Sequence, residues 1–169
     1  MKKTFLKTIS GTALAILMLA VFAQTRVSAQ QNLPEDLTKV GLSQALEGSW
    51  SVQITILNCQ TGATVATFPA MNTFMQGGTM QEFSAGSSFL RGPGHGVWSY
   101  ESGNRFSYSF QFFRFNADGS YAGVTRGRRL VEMSRFRNRY SATSSIEVFN
   151  PAGIQVATAC ATETATRFE

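Results

Sequence analysis

One histidine, His95, and two cysteines, Cys59 and Cys160, are the whole supply of imidazole and thiol in this 169-residue chain. A protein metal site draws several such side chains together, and a Ser/His/Asp site needs a histidine oriented by partners on both sides. His95 stands in the glycine-rich run Gly92-Pro93-Gly94-His95-Gly96, which reads as a loop. The chain shows no paired-cysteine spacing, no nucleophile elbow and no phosphate loop. Metal and cofactor are therefore not expected, and binding is expected ahead of catalysis. If His95 works, it does so by touching a ligand at an entrance.

The aromatic and basic residues offer more. Arg105 to Asn116 reads RFSYSFQFFRFN, which places Phe106, Tyr108, Phe110, Phe112 and Arg114 on one face of a strand. A two- or four-residue turn around Asp118-Gly119 sets the four aromatics opposite Val131, Arg129, Gly127 and Thr125. A three-residue turn would send Arg114 and Arg129 outward instead. Such a face is either packed core or the wall of an apolar cavity. Arginines within it could take a carboxylate through paired N–H donors.

These residues need a sheet to hold them. From Gly48 onward the chain alternates short β runs with turn residues and shows no helical period. The runs are Gly48–Asn58, Ala63–Met75, Gly78–Gly86, Gly96–Glu101, Arg105–Asn116, Ser120–Met133, Asn138–Phe149 and Ile154–Phe168. Eight strands at this spacing predict an up-and-down barrel or a sandwich. The facing of Trp98 stays open, because the turn at Ser102-Gly103-Asn104 can take more than one length.

Cys59 and Cys160 decide for closure, since a disulfide between first and last strand would lock a barrel seam. If they lie opposite one another, Val52 faces Arg167, Ile54 faces Ala165, Ile56 faces Glu163 and Asn58 faces Ala161. Trp50, Val52, Ile54 and Ile56 then point inward, and Gln53, Thr55, Thr162, Thr164 and Thr166 outward. A four-residue loop at Asn150–Gly153 pairs Phe149 with Ile154, Ile146 with Ala157 and Ala142 with Ala161. That second argument gives the last strand the same inner face, with Tyr140, Ala142, Ser144, Ile146 and Val148 inside. Glu163, also inside, would pair with Arg129 or Arg167, with Tyr140 opposite it.

Residues 1–29 read as a secretory signal. Lys2, Lys3 and Lys7 precede an apolar stretch from Ala13 to Ala23, and Val27-Ser28-Ala29 offers cleavage after Ala29. Eleven apolar residues are too few to cross about 30 Å of hydrocarbon. Losing Lys2, Lys3, Lys7 and Arg26 leaves 11 basic against 10 acidic residues, a net charge of +1 in place of +5. Nucleic acid is not an expected partner for so small a charge. Secretion or a periplasmic address follows, and an oxidising compartment favours pairing of the cysteines. Residues 30–47 read as a leader segment and 48–169 as one barrel domain.

Gly48-Ser49-Trp50 at the start of the first strand resembles the calycins, the lipocalin-like superfamily. In lipocalins an arginine near the end of the last strand packs across that tryptophan, and Arg167 is the matching residue here. The resemblance spans Gly48 to Glu169 as architecture, with three or four residues as its motif. The stretches LNCQTGATVATFPAMNTF, PGHGVW, FFRFNADGSYAG and ATETATRFE are also similar to a group of exported bacterial proteins. The resemblance implies an all-β, eight-stranded antiparallel, lipocalin-like barrel, and the inward aromatics and arginines add the expectation of a small apolar or amphipathic, anionic ligand inside it. Its candidate contacts are Tyr108, Phe110, Phe112, Arg114, Arg129, Tyr140, Glu163, His95 and Trp98, with Trp50 and Arg167 structural. Two other classes remain open: a cofactor-free enzyme of allene oxide cyclase-like type on a lipid-like substrate, and a structural barrel with a filled core. A monomer is expected. Arg126, Arg128, Arg135, Arg137 and Arg139 form either a solvated basic end or a contact with anionic head groups of the envelope.

Overall fold

The computed structural model describes residues 41–86 and 90–168. The expected signal segment and residues 30–40 of the leader lie outside the described residues. Eight strands follow in order: β1 (Gly48–Leu57), β2 (Thr64–Phe74), β3 (Thr79–Ser84), β4 (Gly94–Ser102), β5 (Arg105–Phe115), β6 (Tyr121–Met133), β7 (Arg139–Phe149) and β8 (Gln155–Arg167). Each pairs with the next, β8 returns antiparallel to β1, and the sheet closes into an up-and-down barrel.

The turns are built by their own side chains. Asn58 Oδ1 accepts from the N–H groups of Gln60 and Thr61, and Asn150 Oδ1 from those of Ala152 and Ile154. Between turns the chain alternates strictly. In β6, Thr125, Gly127, Arg129, Val131 and Met133 are buried while Arg126, Arg128, Leu130 and Glu132 are exposed. Outward positions on β7, β8, β1 and β2 align Thr143, Thr162, Thr55 and Thr67 in one row. That row is a polar stripe on the outer wall, while Met71, Phe83, Phe113 and Leu130 are exposed elsewhere on it.

The Cys59–Cys160 disulfide is present, with Cα atoms 5.2 Å apart. The β1–β8 register nevertheless differs from the expected one by two residues. Trp50 faces Arg167, Val52 faces Ala165, Ile54 faces Glu163 and Ile56 faces Ala161. The cause is local: β1 stops at Leu57, which pairs with Cys160, so Cys59 reaches its partner diagonally from the turn beyond. The β7–β8 register is displaced by the same amount. Ile146 faces Ala159 and Ala142 faces Glu163, with a bulge at Val148/Phe149 absorbing the difference. A displacement of two leaves every side chain on its expected face. The β5–β6 register is the expected one, Phe106, Tyr108, Phe110 and Phe112 facing Val131, Arg129, Gly127 and Thr125.

One end of the barrel is plugged. Residues 41–46 turn across it, helical at 41–43, and bury Leu46 completely against Trp50, whose Nε1 donates to the Leu46 carbonyl at 2.9 Å. Arg167 lies over the indole, its guanidinium carbon 4.3 Å from the ring centroid. It also donates to the carbonyls of Glu47 and Ala45, each at 2.7 Å. A cation on an indole contributes about 0.5–2 kcal/mol. Gly48 completes the arrangement: its φ is +110°, and a Cβ there would sit 2.9 Å from Arg167 Nη1. The Gly-x-Trp opening is thus one half of a clamp whose other half is Arg167. Phe74, Met80, Phe106 and Met133 fill the space behind it.

Candidate ligand site in the barrel lumen

Burial of the inward side chains fades from the plugged end to the other. Along β7, Tyr140 and Ala142 are buried but Ser144, Ile146 and Val148 only half-buried. Along β8, Glu163 and Ala161 are buried, Ala159 half-buried and Ala157 exposed. Ile56 on β1, Phe68 on β2, and Phe112 and Arg114 on β5 end their strands in the same way. Among the described residues, the inward side chains at this end, between the β1–β2 and β7–β8 turns, therefore keep contact with solvent. This less tightly buried half of the lumen is the cup. Its walls are thin, because Ala70, Ser84, Gly94, Gly96, Gly127, Ala142 and Ala161 all face inward. Phe110 takes up part of the space that the glycines leave. A Cβ at Gly94 would lie 2.8 Å from its ring and one at Gly127 2.9 Å, so the ring lies flat on the wall over bare backbone.

The floor is polar. Arg129 Nε donates to Glu163 Oε1 at 2.5 Å, both side chains being almost wholly buried. Tyr108 donates its hydroxyl to the other Glu163 oxygen. Burial opposes the charge of Arg129, but the Glu163 carboxylate outweighs it and holds the guanidinium above its ordinary pKa. Tyr108 and Tyr140 are pushed well up, first by burial and then by the negative charge of Glu163, and stay protonated. A second pair lies nearer the mouth, where Arg91 clasps both oxygens of Glu82 and donates to Ser84 Oγ at 2.6 Å. The Arg91 guanidinium stacks 3.6 Å above the Phe112 ring. Burial raises the Glu82 carboxyl above its ordinary range, against the opposing pull of Arg91.

Asn72 joins the two pairs, buried between Trp50 on β1 and Glu82 on β3. Its Nδ2 donates to the hydroxyls of Tyr108 at 3.0 Å and Tyr140 at 2.8 Å. Because the Tyr108 hydroxyl already donates its hydrogen to Glu163, its oxygen can only accept from Asn72, which fixes the amide nitrogen on that side. Asn72 Oδ1 is left without a partner among the described residues, as are Ser144 Oγ and Arg114 Nε. A buried, unsatisfied polar atom costs about 1–3 kcal/mol.

The structure gathers Tyr108, Phe110, Phe112, Arg129, Tyr140 and Glu163 around this lumen. Tyr140 faces Ala165 across the strands, and Ala142 takes the position opposite Glu163. Arg114 is at the rim, donating to the carbonyls of Ala122 and Phe149. Trp98 does face inward, but at the plugged end, where its Nε1 donates to the Met75 carbonyl and its ring meets Phe74 and Phe106. His95 does not reach the lumen. β4 begins two residues earlier than expected, so His95 sits between Gln81 and Gln111 and points outward, exposed.

The sequence reading missed Asn72, Glu82, Ser84 and Arg91. Their only signal is alternation, and β3 (TMQEFS) has an apolar residue on each face, Met80 inside and Phe83 outside. The five basic residues divide. Arg126 lies over Phe149 and Arg128 stands 3.9 Å from Glu147 on the barrel's flank, whereas Arg135, Arg137 and Arg139 surround the β6–β7 turn at the plugged end.

No protein-family model matches this sequence, and no curated protein matches it. Among solved structures the chain is similar to EF1p2_mFAP2b bound to DFHBI, with a TM-score of 0.51 and 16% identity over 74% of this chain and 95% of that one. It also matches a redesigned β-barrel, b11L5F_LGL, with a TM-score of 0.44 and 13% identity over 75% of this chain and 94% of that one. The first likeness identifies the fold: this is a closed eight-stranded barrel.

Proposed function

We propose that this protein is an exported carrier that holds one small amphipathic molecule in the open half of its barrel. The observation that carries the reading is the fade of inward burial. A structural barrel with a filled core would bury its inner face from end to end, whereas here Ile56, Phe112, Ser144, Ile146, Val148 and Ala159 keep solvent contact. Eight strands leave room for one small ligand. A barrel of the same fold, EF1p2_mFAP2b, is bound to DFHBI, which supports the reading by analogy. The disulfide and the signal-like residues 1–29 support export to an oxidising compartment, where the protein acts as a monomer.

The test is a fluorescence titration of the chain from Gln30 onward with N-phenyl-1-naphthylamine, a neutral probe that brightens in apolar surroundings. Saturable binding at one site per chain is expected. Ala159→Trp, which places an indole inside the cup, should abolish it. Thr158→Trp, one residue away on the outer face, should leave it unaltered. No binding, or equal effects from the two substitutions, would refute the carrier.

A further inference from the structure

We propose that the bound molecule enters polar end first and that this end is an uncharged hydrogen-bond donor, such as an alcohol, a phenol or an amide N–H. The proposal rests on the carrier reading and adds to it the chemistry of the ligand. Three features of the lumen lead to it.

The charges inside are already balanced. Arg129 is paired with Glu163 and Arg91 with Glu82, and Arg114 turns to backbone carbonyls at the rim. A carboxylate head would be a third carboxylate in a lumen where burial, and after it the charge of Glu163, already raises the Glu82 carboxyl. In a low-dielectric lumen repulsion between carboxylates is poorly screened. The arginine count suggests an anion; the pairing removes the reason for one.

The unsatisfied atom of the floor is an acceptor. Asn72 Oδ1 belongs to a side chain only 1% exposed, and the Tyr108–Glu163 contact fixes which way its amide points. Among neutral groups an O–H or N–H donor is what this atom takes, and a carboxylate has nothing to give it. Higher in the cup Ser144 Oγ, also unpartnered, can accept from or donate to the same head.

Orientation follows from the walls. Ile56, Phe68, Ile146 and Val148 make one side of the upper cup apolar, with the Arg91–Glu82 pair on the side of Phe112, whereas Asn72, Arg129 and Glu163 make the floor polar. An amphipathic molecule matches this gradient only with its tail toward the mouth.

The experiment displaces N-phenyl-1-naphthylamine with 1-decanol, decanoate or decylamine at pH 7.5. 1-Decanol should displace the probe at roughly tenfold lower concentration than decanoate, the scale of one hydrogen bond. Ser144→Ala and Asn72→Leu should each weaken 1-decanol about three- to tenfold while probe affinity holds. Should Asn72→Leu fail to fold, Ser144→Ala decides alone. Glu82→Gln, which takes a carboxyl from beside Arg91 and leaves its guanidinium without an acidic partner, should improve decanoate about tenfold and leave 1-decanol as it was. Decanoate binding as well as 1-decanol in the natural protein would overturn the assignment and leave the carrier standing. A preference that Glu82→Gln does not alter belongs to the partitioning of the free compounds and overturns it too. No binding of the probe removes the carrier and this inference together.

Discussion

The two ends of this barrel are made from the same strands and do opposite things with them. At the plugged end most inward positions carry a large side chain, and Trp50, Arg167 and the turn at residues 41–46 interlock through hydrogen bonds and a stacked guanidinium. Toward the mouth many inward positions are Ala, Ser, Gly or half-exposed side chains, and polar atoms of Ser144 and Arg114, like that of Asn72 on the floor below, go unmet among the described residues. Close packing is concentrated at one end, while inward side chains at the other keep solvent contact. A barrel needs its hydrogen-bonded ring closed all round, but it needs a packed core only along part of its length.

Substitutions of similar size should therefore have unequal effects, and this is the largest difference expected. Trp50→Ala removes a wholly buried indole, the seat of Arg167 and a hydrogen bond, and should cost about 3–5 kcal/mol. Phe112→Ala removes a ring that is already half in solvent and should cost about 1 kcal/mol. Arg167→Ala, which frees the carbonyls of Ala45 and Glu47, should fall between them, and well above Arg137→Ala. Urea denaturation of the four variants measures all of this. Equal costs for Trp50→Ala and Phe112→Ala would end the division into a packed and an open half.

Next in size is the disulfide, which belongs to the mouth. It joins the β1–β2 turn to β8 where β1 runs out; beyond it residues 155–159 pair with β7 alone. Cross-linking residues 101 apart contributes about 2–4 kcal/mol, so reduction should lower the melting temperature without unfolding the chain at room temperature. Hydrogen exchange sharpens the expectation. After reduction, amides around Leu57 and Cys160 should exchange faster while those around Trp50 and Arg167 keep their protection. Uniform loss of protection would show that the two ends are not energetically separate.

The sequence conveyed the two ends unequally. Strand count, closure and the inner faces of β1, β5, β6, β7 and β8 were legible because alternation survives errors of register. Both misplaced registers were off by two residues, and a slip of two moves no side chain to the other face. Trp50 and Arg167 were legible through a motif. The mouth was not. Gly94 read as loop because strands rarely carry glycine, yet here the Phe110 ring on the neighbouring strand covers the backbone it leaves bare. That moved His95 from the entrance to the outer wall. Glu82 and Asn72 were hidden because β2 and β3 set apolar residues on both faces: Met71 and Phe83 stand exposed beside each other, opposite in sense to Asn72 and Glu82. Whether a lumen is open depends on which way a few rings lie, and alternation carries no information on that.

The smallest expected effect concerns the acids, and it again separates buried from exposed ground. Glu82 has its carboxyl raised above the ordinary 4.5, with burial as the main cause. As the pH climbs above 4.5 the unfolded chain releases this proton while the folded chain keeps it. The folded state is then favoured less with each step, until the raised value is passed. Exposed Glu101 works in the other direction. The hydroxyls of Ser107 and Ser99 hold its carboxyl below 4.5, so its contribution is present above 4.5 and lost as the pH falls through the lowered value. Melting temperatures between pH 3 and 8 should thus show a decline on the neutral side of 4.5 that Glu82→Gln abolishes, and a decline on the acid side that it leaves in place. If Glu82→Gln left the neutral-side slope unchanged, the buried carboxyl would not be the group responsible. The mouth would then hold its charges as loosely as the surface does.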